Sequence, residues 1–192
     1  NGNWAIFYDE KQNIYNPEYA EGMEILESYS NTKFKLFVNC RNTVQIGTYS
    51  SETSGIEMKD FLQENGEEVQ KVSYVDDADF KQKIKEILKH LRAEKVDLTD
   101  VAFLAPKKYS NSMLSIAGMA VNELGDDYDS KSALPKFATI QGFKGLDAKI
   151  VILVDVDNIL DRNWSSLMYI AGTRARTLLY VVGSEKFWEE HK

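Results

Sequence analysis

The sequence predicts an α/β domain built on a mainly parallel sheet with helices on both faces. Seven short apolar or β-branched runs recur along the chain, separated by amphipathic or polar stretches. One of them, residues 150–154, is apolar at every position, as a strand covered on both faces requires. Between the runs, Phe80, Ile84, Ile87, Leu88 and Leu91 follow helical spacing, with Asp76 and Asp77 placed to cap the start.

In chain order, residues 5–8 and 34–38 read as strands. Residues 16–31, between them, read as a short helix plus turn packed by Met23, Ile25 and Leu26. A strand at 69–75 leads into the capped helix, whose end carries His90, a residue that complements the helix dipole. The run 101–105 is the next strand, and Leu114, Ala117, Ala120, Val121 and Leu124 form a second helical stripe. Residues 125–136, polar and acidic with one proline, read as a surface loop. Strands at 137–140 and 150–154 follow, then a third helical stripe at Trp164, Leu167, Met168 and Ala171, read as helix core, and a last strand at 177–182.

The 192 residues fit one domain plus a fragment of another, and 43% hydrophobic with 28% charged residues describes an ordinary globular chain. Lys and Arg number 23 against 30 Asp and Glu, a net charge of −7 that argues against broad electrostatic adhesion to nucleic acid or membrane but leaves room for a local basic groove. No apolar run approaches the ~18 residues of a membrane span, so no membrane partner is expected. A single cysteine, Cys40, excludes an internal disulfide and favours a reducing, cytoplasmic setting; it reads as a small buried residue. His90 and His191 leave little for a metal site.

Several motifs are missing. None of the 11 glycines precedes a lysine, so there is no P-loop, and no Gly-x-Gly pair supplies a dinucleotide fingerprint. Asp155, Asp157 and Asp161 have Leu160 and Ser166 where a calcium loop needs glycine and glutamate, so they read as residues that end a strand and solvate a loop. No Gly-x-Ser-x-Gly elbow supports a serine nucleophile.

Four segments carry the functional signal. They are Asp9-Glu10-Lys11-Gln12-Asn13-Ile14-Tyr15, Asn39-Cys40-Arg41-Asn42, Thr139-Ile140-Gln141-Gly142-Phe143-Lys144-Gly145-Leu146-Asp147, and Tyr169-Ile170-Ala171-Gly172-Thr173-Arg174-Ala175-Arg176. Each is placed at a strand end or helix edge, where ligands gather in open α/β sheets. An arginine fork suits phosphate oxygens, and a pair can clamp a transferring phosphoryl group.

In order and wording these segments resemble motifs III to VI of superfamily 1 DNA helicases of the UvrD/Rep type, over nearly the whole chain from Asp9 to Val182. The resemblance implies a RecA-like fold of the P-loop NTPase type without a P-loop of its own. Residues 17–192 would be the second motor domain and residues 1–16 the tail of the first, the missing N-terminal RecA-like domain of the same polypeptide being the partner. It further implies that Gln12 senses the γ-phosphate, and that Arg41 and Arg174 act as arginine fingers on ATP. Gly145 and Asp147 would approach the nucleotide, Thr139, Gln141 and Lys144 would lie along single-stranded DNA, and Tyr15 is a candidate base-stacking platform. ATP and Mg²⁺ would serve the intact protein in translocation along DNA and unwinding of the duplex, with the magnesium ligands outside this chain. Lacking the P-loop, the chain alone is expected neither to hydrolyse ATP nor to unwind DNA.

The chain departs from the family pattern at Cys40 for tyrosine, Gln141 for histidine, Asp147 for glutamate and Tyr8 for glycine. An aromatic-Arg-Gly stretch after Tyr15 is missing, and the 98 positions from Arg41 to Thr139 leave no room for the large inserted subdomain of the best-known members. Residues 5–10 admit a second reading, as the magnesium-binding strand with its Asp-Glu pair. Two alternatives to the motor stand beside it: a degenerate RecA-like module that holds DNA or protein, and an unrelated doubly wound domain that binds a small nucleotide.

Overall fold

A computed structural model describes residues 6, 19–29, 32, 38–126, 128–159 and 161–191. In order, the elements are α1 (Tyr19–Ser28), β1 (Val38–Asn39), α2 (Val44–Ser54), β2 (Asp60–Phe61), β3 (Gln70–Tyr74), α3 (Asp77–Ala93), β4 (Val101–Ala105), α4 (Met113–Ile116), β5 (Asn122–Glu123), β6 (Lys136–Thr139), β7 (Ala148–Leu153), α5 (Asp161–Gly172), β8 (Ala175–Ser184) and α6 (Glu185–Glu190). Of the expected strand at 5–8 only Ile6 is described, exposed and outside any strand; Gln12 and Tyr15 lie outside the described residues, as does most of the run 34–38.

Six strands form one sheet in the order β3-β8-β7-β4-β6-β5, every pairing parallel, and β1 and β2 make a separate parallel pair. Side chains alternate across the sheet with the strand period of two. Ala102, Leu104, Ala138, Val151, Leu153, Leu179 and Val181 belong to one apolar cluster, shared with residues of α2, α5 and α6. Val101, Phe103, Phe137, Ile150, Ile152, Tyr180 and Val182 belong to the other, which includes the apolar stripe of α3 and Leu114 of α4. The central strands are buried on both faces, which is why 150–154 carries no polar residue.

α3 begins where the sequence places it: the Asp76 carboxylate accepts from the Asp79 amide at 2.8 Å, and His90 and Arg92 occupy the last turn. Two helices differ from expectation. The second stripe does not run on to Leu124. α4 stops at Ile116, because Gly118 takes φ +63° and the Met119 amide bonds back to the Leu114 carbonyl, and the chain then joins the sheet edge as β5. α2 is a helix that apolar periodicity does not reveal. Its buried face is Ile46 with Gly47, Ser50 and Ser54, the last three small residues that allow close approach. A Cβ on Gly47 would meet the Phe61 ring, and one on Gly172 of α5 would meet the Ser50 hydroxyl. In α1, Met23 and Leu26 are half-buried while Ile25 is exposed, so only two of its three expected packing residues are covered.

Candidate functional site

Segments about 100 and 130 positions apart in the chain meet at the amino-terminal edge of β7 and β8. The first is a turn after β1. Asn39 Oδ1 accepts from the amides of Arg41 (3.0 Å) and Asn42 (3.1 Å), and Asn39 Nδ2 donates to Asn42 Oδ1 at 2.9 Å. This asparagine turn holds the Arg41 backbone while leaving its side chain exposed. Asn42, 1% exposed, then donates from Nδ2 to the carbonyls of Thr173 (3.2 Å) and Ala175 (2.5 Å), fastening the turn to the start of β8.

Asp147, just before β7, lies between two cations. Its carboxylate is 3.7 Å from Arg41 Nε and 4.0 Å from Arg176 Nη1, all three side chains being 40–55% exposed. Beside them the Ala148 amide donates to the Arg174 carbonyl at 3.0 Å.

Arg174 is unlike its neighbours. It is 2% exposed and the largest fully buried side chain among the described residues. Its Nε donates to the Ile170 carbonyl (3.1 Å), Nη1 to the Leu146 carbonyl (3.2 Å) and Nη2 to Thr173 Oγ1 (3.0 Å). Thr173 Oγ1 in turn donates back to the last turn of α5, at the Tyr169 (2.8 Å) and Ile170 (3.1 Å) carbonyls. The guanidinium thus ties the end of α5 to the segment entering β7.

The residues expected along DNA occupy a different place. Thr139 ends β6 at the carboxyl edge of the sheet, and its Oγ1 accepts from the Gly142 amide at 2.9 Å. Residues 140–147 return from that edge to the opposite one in a series of turns, with Ile140 and Phe143 buried, Gln141 half-buried and Lys144 exposed. Gly145 takes φ +90°, and a Cβ there would meet nothing, so backbone conformation alone accounts for its glycine. Thr139 therefore stands at the carboxyl edge of the sheet and Asp147 at the amino-terminal one, joined by the connection 140–147, along which Lys144 and Gly145 are adjacent. In the six-stranded sheet the ligand-edge rule applies to Thr139 and Gln141, whereas Asp147 and Arg174 precede their strands.

Two sequence readings are corrected. Cys40 is exposed, not a buried filler, since the turn at Asn39 directs residues 40 and 41 outward. Asp155 follows β7 by two residues and does not solvate a loop. It is 1% exposed at φ +58°, with Oδ1 accepting from the Met113 amide at 3.0 Å and Oδ2 without a partner among the described residues. Burial pushes its pKa up; the Met113 amide and then Lys107 oppose that shift. Asp157 is likewise structural: it accepts from the Ser184 amide and hydroxyl and from Tyr74 Oη (3.1 Å), joining the carboxyl ends of three strands. Tyr74 has its pKa raised, by burial first and then by the Asp157 charge.

Asn42 and Arg176 have the two contacts to which the sequence reading assigned no role. Asn42 lies in segment 39–42 and Arg176 in segment 169–176, and that position is the signal the sequence offers for them. Among the described residues no group of three or more His, Cys, Asp or Glu could hold a metal ion, and no helix is long and apolar enough to cross a membrane.

No protein-family model and no curated protein matches the chain. Among solved structures, it is similar to the C-terminal domain of a possible DNA helicase from Lactobacillus plantarum WCFS1 at 15% identity, with a TM-score of 0.59 over 76% of this chain and 88% of that one. That likeness and the parallel six-stranded sheet together give the chain an α/β, RecA-like fold.

Proposed function

We propose that the chain is the second motor domain of a superfamily 1 DNA helicase of the UvrD/Rep type, residues 1–16 closing the first motor domain and 17–192 forming the second. The observation that carries this reading is the convergence of Arg41, Asp147, Arg174 and Arg176 at one sheet edge. The exposed guanidiniums of Arg41 and Arg176 outnumber the one carboxylate between them, which makes a cationic site in a chain of net charge −7, and such a site suits a nucleotide polyphosphate.

Arg41 is the finger best placed to move. Its ion pair with Asp147 is long and exposed, hence weak, so a γ-phosphate brought up by the first domain competes for the guanidinium with little to displace. Cations supplied across a closing cleft stabilise transition-state charge and make hydrolysis depend on closure. Arg174 sets the edge on which that closure acts, and its guanidinium reaches phosphate only by turning from the acceptors it now holds. Gly145 and Asp147 border the nucleotide. Thr139 and Gln141 line DNA at the other end of the same connection and Lys144 lies along it, which couples the two ligands mechanically. Gln12 and Tyr15 would complete the γ-phosphate sensor and the base platform. ATP with Mg²⁺ supplies the phosphoryl chemistry when bound in the intact protein, the metal held by the first domain, and the DNA is single-stranded or duplex. The neighbour described as a possible DNA helicase domain supports the reading at the level of fold.

A second reading, a degenerate RecA-like module that holds DNA or protein without motor activity, is favoured by the burial of Arg174. ATP hydrolysis by the natural polypeptide, with and without single-stranded DNA, separates the two. DNA-stimulated turnover that collapses in Arg41→Ala supports the motor. DNA binding without turnover supports the module.

A further inference from the structure

On the sheet face opposite α2 and α5, the last two turns of α3 border a cleft of about 430 Å³ closed on its far side by segments 119–120 and 134–135. Its floor is apolar: Leu88, Met119, Leu134 and Pro135. Its rim is cationic, with Lys85, Lys89 and Arg92 on one flank of the helix, and no carboxylate among the described residues lines it. In a chain of net charge −7 that is an unusual stretch of surface. The side chains of all three cations are exposed and make no ion pair or hydrogen bond among the described residues, so their charge is available to an outside group.

We propose that this cleft docks an extended acidic peptide segment of a partner protein, with apolar side chains seated on the floor and carboxylates on the lysine and arginine rim. Charge complementarity requires an anionic occupant, and the floor requires one that also carries apolar groups. Lys85 and Lys89 are separated by four residues of helix, a rise of about 6 Å. Alternate side chains of an extended peptide repeat at about 6.6 Å, so acids at every second position meet successive cations. The cleft volume suits a few side chains and not a helix about 10 Å across. A nucleic-acid strand fits less well, because no aromatic residue among the described ones lines the cleft to stack a base. The proposal is independent of the arginine site, which lies with α2 and the amino-terminal edge of β7 and β8.

The test is an octapeptide array probed with the full 192-residue chain, followed by fluorescence polarisation of the strongest binder and of oligothymidylate. Bound peptides should be enriched in Asp or Glu alternating with apolar residues. Binding should weaken at least tenfold in Lys85→Glu/Lys89→Glu, fall with added salt, and also weaken in Leu134→Asp, a substitution at an exposed leucine. Circular dichroism confirms that each variant is folded. Absence of acidic enrichment, no peptide bound, binding unchanged by charge reversal in the folded variant, or oligothymidylate binding in place of peptide would each overturn the proposal.

Discussion

Replacing Arg174 with alanine should unfold the chain more easily, whatever it does to catalysis. The side chain is 2% exposed and donates to Ile170 O, Leu146 O and Thr173 Oγ1. Hydrogen bonds from a charged donor are worth about 1.5–3 kcal/mol each, so three give roughly 5–9 kcal/mol before any offset. Removing the guanidinium also removes the cost of keeping a cation out of water, several kcal/mol in practice. The difference leaves a net loss of about 2–4 kcal/mol, the range seen when a buried polar network is broken. For a chain this long that lowers the midpoint of thermal unfolding by about 4–16 °C. Arg174→Lys should fall between, keeping the charge but not the planar fork that reaches three acceptors. Arg41→Ala removes an exposed pair 3.7 Å long and should cost under about 1 kcal/mol. Urea unfolding followed by circular dichroism reads all three. An Arg174→Ala variant within about 0.5 kcal/mol of wild type would refute the structural role, since that is the scale of ordinary surface substitutions. The consequence for mechanism is direct: lost activity in Arg174→Ala confounds folding with catalysis, and Arg41→Ala does not.

The same reasoning gives three further expectations. Gly172→Ala drives a methyl group into the Ser50 hydroxyl where α5 meets α2, costing about 1–3 kcal/mol by overpacking, and Ser50→Gly in the same chain should restore part of it; additive losses in the double variant would contradict the contact. Gly145→Ala meets no atom but inherits φ +90°, so it should cost about 1–2 kcal/mol through backbone strain alone, and an unchanged urea midpoint would show that the turn relaxes. Burial raises the Asp155 pKa, so the folded chain holds that proton more tightly than the unfolded one. Its contribution is most favourable below the unfolded value of about 4 and is lost as pH rises through the raised folded value. Asp155→Asn, which keeps an acceptor for Met113 and tolerates φ +58°, should therefore gain on wild type between pH 4 and pH 7, roughly the span from the unfolded value upward, and a gap that stays constant across that span would contradict the burial argument.

Most of the sheet was legible because its strands obey simple rules. β3, β4, β6, β7 and β8 fall within two residues of the apolar runs, and α3 announces itself by stripe and cap. α2 was not legible, because its buried face is glycine and serine fitted against Phe61 and Gly172, a match that exists only once the partners are in place. The stripe ending at Leu124 misled for the opposite reason: apolar spacing continued past Gly118, whose left-handed backbone had already stopped the helix. At the site, motif order singled out segments that the fold brings together at one sheet edge. It gave no sign that Asn42 would fasten the first to the last, that Asp147 would stand between Arg41 and Arg176, or that Arg174 would be sealed under Leu146 and Thr173. These are tertiary contacts between positions more than 25 residues apart or side-chain rotations, neither of which has a local signature. Asp155 is a similar case, since only the arrival of α4 turns an apparent loop aspartate into a buried acceptor.

The central claim is that this edge supplies a mobile cation to a nucleotide held by another domain. ATP hydrolysis by the natural polypeptide carrying this chain, with and without single-stranded DNA, compared between wild type and Arg41→Ala, tests it most directly. The account predicts DNA-stimulated turnover in wild type and a loss of at least about a hundredfold in kcat in the folded Arg41→Ala variant, the scale of removing one preorganised donor to transition-state charge. Turnover unchanged by Arg41→Ala would contradict it.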